Sequence, residues 1–289
     1  MTRFGVSIVP SASGRSDPVA EARYAEDIGL DHVSIWDHPH GDRPSFETWT
    51  LLTWIAARTE RIGLATDVLG LPFRLPALTA KMAETLDRLS GGRVILGLGG
   101  GGSDREMGGL GAPARTPLEK VEALEEGLEV IRGVWGRSPF SFEGRHYRAD
   151  AALIEPKPER SIPIWLGTYG PKALDLTGRR ADGWIPSMPY LPPRVAHSRM
   201  DRVRAAAARA GRDPDALDYA YNVGVRIGGP PPDDPQRQVA GEPEEVVERL
   251  LELTEIGFTV LNLWLGGRRD EQLERFGSQV LPTLRQLVG

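Results

Sequence analysis

The 289 residues carry 40 acidic and 35 basic side chains, a formal net charge of -5, with 40% hydrophobic and 26% charged residues. A chain of this size and composition can bury about 75% of its unfolded surface, no apolar run reaches the ~18 residues of a membrane span, and interspersed Arg and Glu offer no basic stripe for nucleic acid. The absence of cysteine excludes disulfide scaffolds, thiolate metal sites and thiol nucleophiles.

Met1-Thr2-Arg3-Phe4-Gly5-Val6 enters an apolar run at once, with no basic n-region or long h-region, so a cytoplasmic protein is expected. Short apolar or β-branched runs then alternate with amphipathic segments along the whole length. The strand-like runs are Phe4 to Val9, His32 to Trp36, Ile62 to Val68, Val94 to Leu98, Ile164 to Leu166, Gly183 to Ile185, Tyr219 to Arg226 and Val260 to Trp264. Helices are expected over Pro18 to Ile28, Phe46 to Thr59, Pro76 to Leu89, Glu119 to Trp135, Pro171 to Arg179, Pro193 to Ala210, Pro243 to Ile256 and Arg269 to Leu287. Several open on proline, whose missing N–H costs nothing in a first turn. Asp17 is a candidate N-cap, and Gly29 and Gly257 stand where a helix needs a left-handed stop.

The segment Asp27 to Ile35 echoes Glu255 to Leu263, each a helix end, a glycine stop and a buried strand. Eight such units fill the roughly 250 residues of a (β/α)8 TIM barrel, and strands this apolar suit a sheet covered on both faces. One domain over 1-289 is expected, since no shift in composition marks a boundary. Ser138 to Leu153 alternates with period two around Glu143-Gly144 and reads as a hairpin inserted after the fourth helix. Gly228 to Gly241, with Pro230 to Pro232 and Pro235, reads as a mobile loop after the seventh strand.

In such a barrel the reactive groups gather where strands end at their C-terminal side. Strand two ends in Trp36-Asp37-His38-Pro39-His40, where an imidazole beside a carboxylate is a candidate acid–base pair, although a loop His with a capping Asp is the commoner arrangement. Pro39 between His38 and His40, and no further His or Cys cluster, argue against a metal. His32 and His146 read as structural and His197 as solvated. Strand three ends in Thr66-Asp67-Val68, where a buried carboxylate needs hydrogen bonds or a ligand. The glycines from Gly97 through Gly102 would let a planar ring or a phosphate approach the main chain. Gly167-Thr168-Tyr169-Gly170-Pro171-Lys172 is a strand, a glycine turn and a helix start, a natural phosphate site that Lys172 in the first turn favours. Trp36, Trp165, Trp184 and Trp264 sit in or at the ends of strands and can wall a pocket or fill the core.

Taken in order, Asp37-His38-Pro39, Ala65-Thr66-Asp67-Val68, Phe73-Arg74-Leu75-Pro76, the stretch Thr85 to Gly101, Phe142 to Arg145 and Ala181-Asp182-Gly183-Trp184 resemble the luciferase-like monooxygenase superfamily. The resemblance implies a (β/α)8 barrel, a homodimer, and FMN or the deazaflavin coenzyme F420 at the C-terminal mouth. The Asp-His-Pro ending of strand two is similar to the F420-dependent oxidoreductase branch. By that resemblance Asp37 would bond the cofactor or orient its neighbour, and His38 would exchange a substrate proton as hydride moves to or from the ring. Asp67-Val68 matches a non-prolyl cis peptide that backs the deazaflavin, Thr66 lies beside it, Gly99, Gly100 and Gly101 would meet the ring or ribityl chain, and Gly167 to Lys172 would hold the phosphate. A Glu acid that the sugar-phosphate dehydrogenases of this branch carry after the glycine loop is here Gly102, with Asp104 and Glu106 as substitutes close by.

The implied activity is transfer of a hydride between F420 and a small organic substrate, in a pocket completed by the hairpin and the loop after strand seven. The alternatives are an FMN monooxygenase served by a separate reductase, and a flavin-binding barrel without turnover. F420, unlike FMN, has carbon in place of N5 and does not readily form a hydroperoxide, which separates the first two.

Overall fold

Eight parallel strands close into a ring in the computed structural model, which describes residues 2–14, 17–136, 138–229 and 232–288. They are Arg3–Ser7, His32–Ile35, Gly63–Thr66, Val94–Gly99, Ile164–Leu166, Gly183–Trp184, Asp218–Ile227 and Val260–Leu265. Each pairs with its successor, and Arg3 opposite Val260 joins the eighth strand to the first. All eight expected runs therefore became barrel strands, and the chain is a (β/α)8 barrel with helices between the strands.

The strands are buried on both faces, which is what parallel pairing with covering helices demands. Alternation sends Val33, Ile35, Leu96 and Leu263 toward the helices in the main core. Ala65, Ile95, Trp165, Ile185, Ala220 and Val260 form a second cluster on the opposite, luminal face.

The helix starts follow their local chemistry. Asp17 caps Pro18–Asp27 by accepting from the N–H groups of Val19 and Ala20 at 2.9 and 3.1 Å. The second helix begins at Thr48 and not at Phe46, because Glu47 in extended conformation accepts from the N–H groups of Trp49 and Thr50. One helix was not expected: Asp104–Gly109, capped by Ser103, tucked into the loop that follows the glycines.

The expected hairpin is present as Phe140–Glu143 with Arg148–Ala152. Glu126 of the helix Pro117–Gly136 accepts from the N–H groups of Arg145, His146 and Tyr147 and ties the turn to the outside of the barrel. Of the loop after strand seven, Pro230 and Pro231 lie outside the described residues. Its far end, Val239–Gly241, pairs in parallel with strand seven as a short outer strand. Among the described residues no helix is long and apolar enough to cross a membrane.

Candidate active site

The C-terminal ends of the strands surround a cavity of about 750 Å³, within the usual range for small-molecule sites. Trp36, Asp37 and His38 reach it from strand two, Asp67 and Val68 from strand three, Gly99 to Gly102 from strand four, Gly167 to Gly170 from strand five, Asn222 from strand seven and Trp264 from strand eight.

Asp37 and His38 do not form a pair. Asp37 is buried; its carboxylate accepts from the N–H of Gly70 at 2.8 Å and from the guanidinium of Arg74 at 2.7 and 3.2 Å. In the loop that follows strand two, His38 turns instead toward the short helix and places Nδ1 3.0 Å from Glu106 Oε2. Glu106 is almost fully buried, whereas the His38 side chain is 62% exposed. The other oxygen of Glu106 accepts from the N–H of His40 at 3.4 Å, so one carboxylate holds the short helix and the loop after strand two together. An anionic carboxylate accepts from Nδ1–H, which leaves Nε2 as the imidazole's proton acceptor. The substitute acid considered from the sequence is thus Glu106; Asp104 instead bonds Lys120 at 2.7 Å. A Cβ built on Gly102 would meet nothing within 4 Å.

The peptide between Asp67 and Val68 is cis. It turns Val68 into the space left by glycines: a Cβ would stand 2.8 Å from Val68 Cγ2 if built on Gly99 and 3.0 Å if built on Gly167. Gly101 has φ +86°, and a Cβ there would lie 2.5 Å from Met107 Sδ, so the chain turns into the short helix only as glycine. Thr66 does not face the cavity, because its hydroxyl donates to the carbonyl of Gly97 at 2.7 Å and closes the wall behind the site.

Asp67 lies at the cavity floor within a buried polar network. Its oxygens accept from Asn222 Nδ2 at 2.9 Å and Asn262 Nδ2 at 3.1 Å, and Asn262 also donates to Asn222 Oδ1 and bonds Ser34. Burial pushes the Asp67 carboxyl up to about 7, against the amide of Asn222, the indole N–H of Trp264 and the charge of His38. The indole N–H of Trp264 nevertheless closes no hydrogen bond among the described residues.

On the opposite wall the loop Gly167 to Gly170 is pinned from behind. Trp184 Nε1 donates to the carbonyl of Thr168 at 2.9 Å, the Thr168 and Thr177 hydroxyls bond at 2.7 Å, and the Tyr169 hydroxyl accepts from the N–H of Ser187 at 3.2 Å. The loop leads into Pro171–Arg180, whose N-terminus carries no side-chain cap. Lys172 is exposed and is not part of the cavity wall, since the first helical turn directs it outward while Ala173 faces in. Trp36 and Trp264 line the cavity, but Trp165 and Trp184 are wholly buried behind it. Neither the hairpin nor any described residue of the loop after strand seven reaches the cavity. His32 packs edge-on against Trp165 and is held neutral by burial, at about 4.

Sequence reasoning assigned no role to Arg74, Asn222, Asn262 or Ser34. The two asparagines carried a readable signal, since Asn is depleted in strands and both stand in the middle of apolar runs.

Residues 1–232 match the family model for luciferase-like monooxygenases, and the chain belongs to that family. Among curated relatives, it is 30% identical to the F420-dependent glucose-6-phosphate dehydrogenase of Nakamurella multipartita, over 99% of this chain and 98% of the relative. The enzyme of the same name from Beutenbergia cavernae is 30% identical over 99% and 98%. The first of these alignments runs over 334 positions against 289 residues here, so the relatives carry segments without a counterpart in this chain. In fold, the chain resembles an F420-dependent secondary alcohol dehydrogenase in complex with an F420-acetone adduct, with a TM-score of 0.88, 20% identity, and 98% and 99% of the two chains covered. The F420-dependent tetrahydromethanopterin reductase of Methanopyrus kandleri gives a TM-score of 0.84 at 22% identity, with 98% and 99% covered.

Proposed function

We propose that this protein is an F420-dependent oxidoreductase that moves a hydride between the deazaflavin and a small organic substrate, acting as a homodimer. The observation that carries the catalytic part is the His38–Glu106 pair at the cavity wall, a proton-transfer group already oriented by a buried carboxylate. The curated relatives named above support the cofactor.

The cavity fits the group. Glycines at 99 and 167 let the wall come in close, Val68 projects between them, and the uncapped helix start after Gly170 offers N–H donors where a phosphate would lie. Gly99, Gly100, Gly101 and the loop Gly167 to Gly170 would hold the cofactor, with Asp67 beneath. Bound F420 supplies a ring carbon that accepts or returns a hydride.

The remaining work falls to the chain itself. His38 Nε2 takes the proton of a substrate hydroxyl, or returns it in the reverse direction, while Glu106 fixes the ring and stabilises the imidazolium. Asp37, locked by Arg74 and Gly70, holds the end of strand two so that His38 faces the cavity. Trp36, with its ring centroid 5.6 Å from that of His38, walls the reacting region and excludes water.

Parallel titrations of the purified protein with F420 and FMN, read by cofactor fluorescence, test the cofactor assignment. Micromolar or tighter binding of F420 with FMN much weaker is expected; the reverse preference would make FMN the cofactor.

A further inference from the structure

Among the described residues three basic side chains line the cavity, His38, Lys120 and Arg269, and each is already engaged by a carboxylate. His38 meets Glu106, and Lys120 Nζ lies 2.7 Å from Asp104. Arg269 Nε donates to Glu21 at 2.9 Å, and its other nitrogens reach the carbonyls of Ser7 and Leu265. Arg74, behind the wall, is consumed by Asp37 and Glu47. The helix start at Pro117, which borders the cavity, is closed by its own residues: Thr116 N–H donates to Glu119 at 2.9 Å and Glu119 N–H donates back to the Thr116 hydroxyl. Asp67 and Glu106 line the same space, while the Asp37 carboxylate is turned to Arg74 and Gly70. Two uncapped α-helix starts border the cavity, at Pro171 and at Arg269. The first is claimed by the cofactor phosphate in the reading above, and the second opens a single short helix whose first residue, Arg269, is bound to Glu21.

A phosphate dianion entering this cavity would be taken out of water with no unpaired cation among the described lining residues to meet it and with Asp67 and Glu106 nearby. An uncharged molecule meets the opposite situation, because Trp36, Phe73, Val121, Leu124 and Leu265 present apolar surface around the His38–Glu106 pair.

We infer that the substrate is a small uncharged alcohol, mainly hydrocarbon, together with its carbonyl partner, and that phosphorylated sugars are excluded. This rests on the F420 oxidoreductase reading. In the oxidation direction the carbinol C–H bond breaks with its electron pair, which leaves as hydride to F420. The hydroxyl proton goes to His38, and the C=O bond forms. The alcohol loses two electrons and F420 gains them.

The test uses the protein loaded with F420, after binding of the cofactor has itself been measured. Isopropanol, cyclohexanol, benzyl alcohol, glucose and glucose-6-phosphate are then compared for cofactor reduction, and acetone, cyclohexanone and inorganic phosphate for binding by calorimetry. The expected result is turnover of at least one of the three apolar alcohols, with kcat/KM about 10²-fold or more above that for glucose-6-phosphate, and no heat of binding for phosphate. Binding or preferred turnover of glucose-6-phosphate, or neither binding nor turnover of any apolar alcohol or ketone, overturns the inference and leaves the cofactor assignment standing. Failure of F420 to bind overturns the reading beneath it.

Discussion

The two ends of the barrel treat charge differently. At the N-terminal end, arginines are spent on fixed acceptors. Arg93 donates to the carbonyls of Ala56, Thr59 and Ile62, Arg160 holds buried Asp87 at 2.6 Å while also reaching the carbonyl of Val94, and Arg285 joins Asp31 to the carbonyl of Gly29. At the C-terminal end, Asp67 has only amides and an indole for company, and Glu106 has only His38, Ser103 near its helix start, and the N–H of His40. The first arrangement pairs its carboxylates with guanidinium groups; at the mouth Asp37 is paired in the same way with Arg74, but Asp67 is held by amides alone and Glu106 by an imidazole. The candidate chemistry thus sits at the C-terminal end of the strands.

The largest effect that would sharpen this contrast is expected from His38→Ala. Turnover should fall about 10²–10⁴-fold, as for loss of a general acid–base group, with F420 affinity unchanged by fluorescence titration. Unaltered turnover would remove His38 from the mechanism. Glu106→Gln keeps the shape but removes the charge that fixes the imidazole; kcat should drop about 10–10²-fold with KM nearly constant. A rise in KM alone would make Glu106 a substrate contact and not a positioning residue.

At the other end the outcome should reverse. Arg160→Ala removes charge-assisted hydrogen bonds from buried Asp87 and should cost about 2 kcal/mol of stability in urea unfolding, with kcat preserved at permissive temperature. The last effect is a slope, not a step, and leaves turnover out of account. The Asp67 carboxyl is raised from 3.8 to about 7 in the folded chain, so between those values the folded state binds more protons than the unfolded one. Its contribution to stability therefore falls as pH rises through that window and is level above it. Asp67→Asn should flatten that part of the profile; an unchanged slope from pH 4 to pH 7 would mean the carboxyl titrates normally.

The barrel was legible because strand burial and helix starts are local properties. Period, proline and glycine stops report them directly, as at Asp17, Gly29 and Gly257. The site was legible only where the residue type itself carries the chemistry, as with His38, Asp67 and the glycines before Ser103. Which groups meet was not. Asp37 adjoins His38 in sequence yet bonds Arg74, and Glu106 reaches His38 across 68 positions through a six-residue helix too short to announce itself by periodicity. Lys172 looked like a phosphate ligand on charge alone, but the turn of the helix sends it outward. The hairpin and the loop after strand seven were the expected substrate walls because they break the sequence rhythm. In the folded chain Glu126 binds the hairpin to the outer helices, and the end of the loop pairs with strand seven.

The central claim is direct hydride transfer to the deazaflavin with the proton leaving separately through His38. The measurement that addresses it is incubation of the protein and F420 with an alcohol deuterated at the carbinol carbon, followed by mass spectrometry of the reduced cofactor. One deuterium held on carbon in each reduced F420 is the predicted result. Reduced F420 carrying only solvent hydrogen would contradict the account.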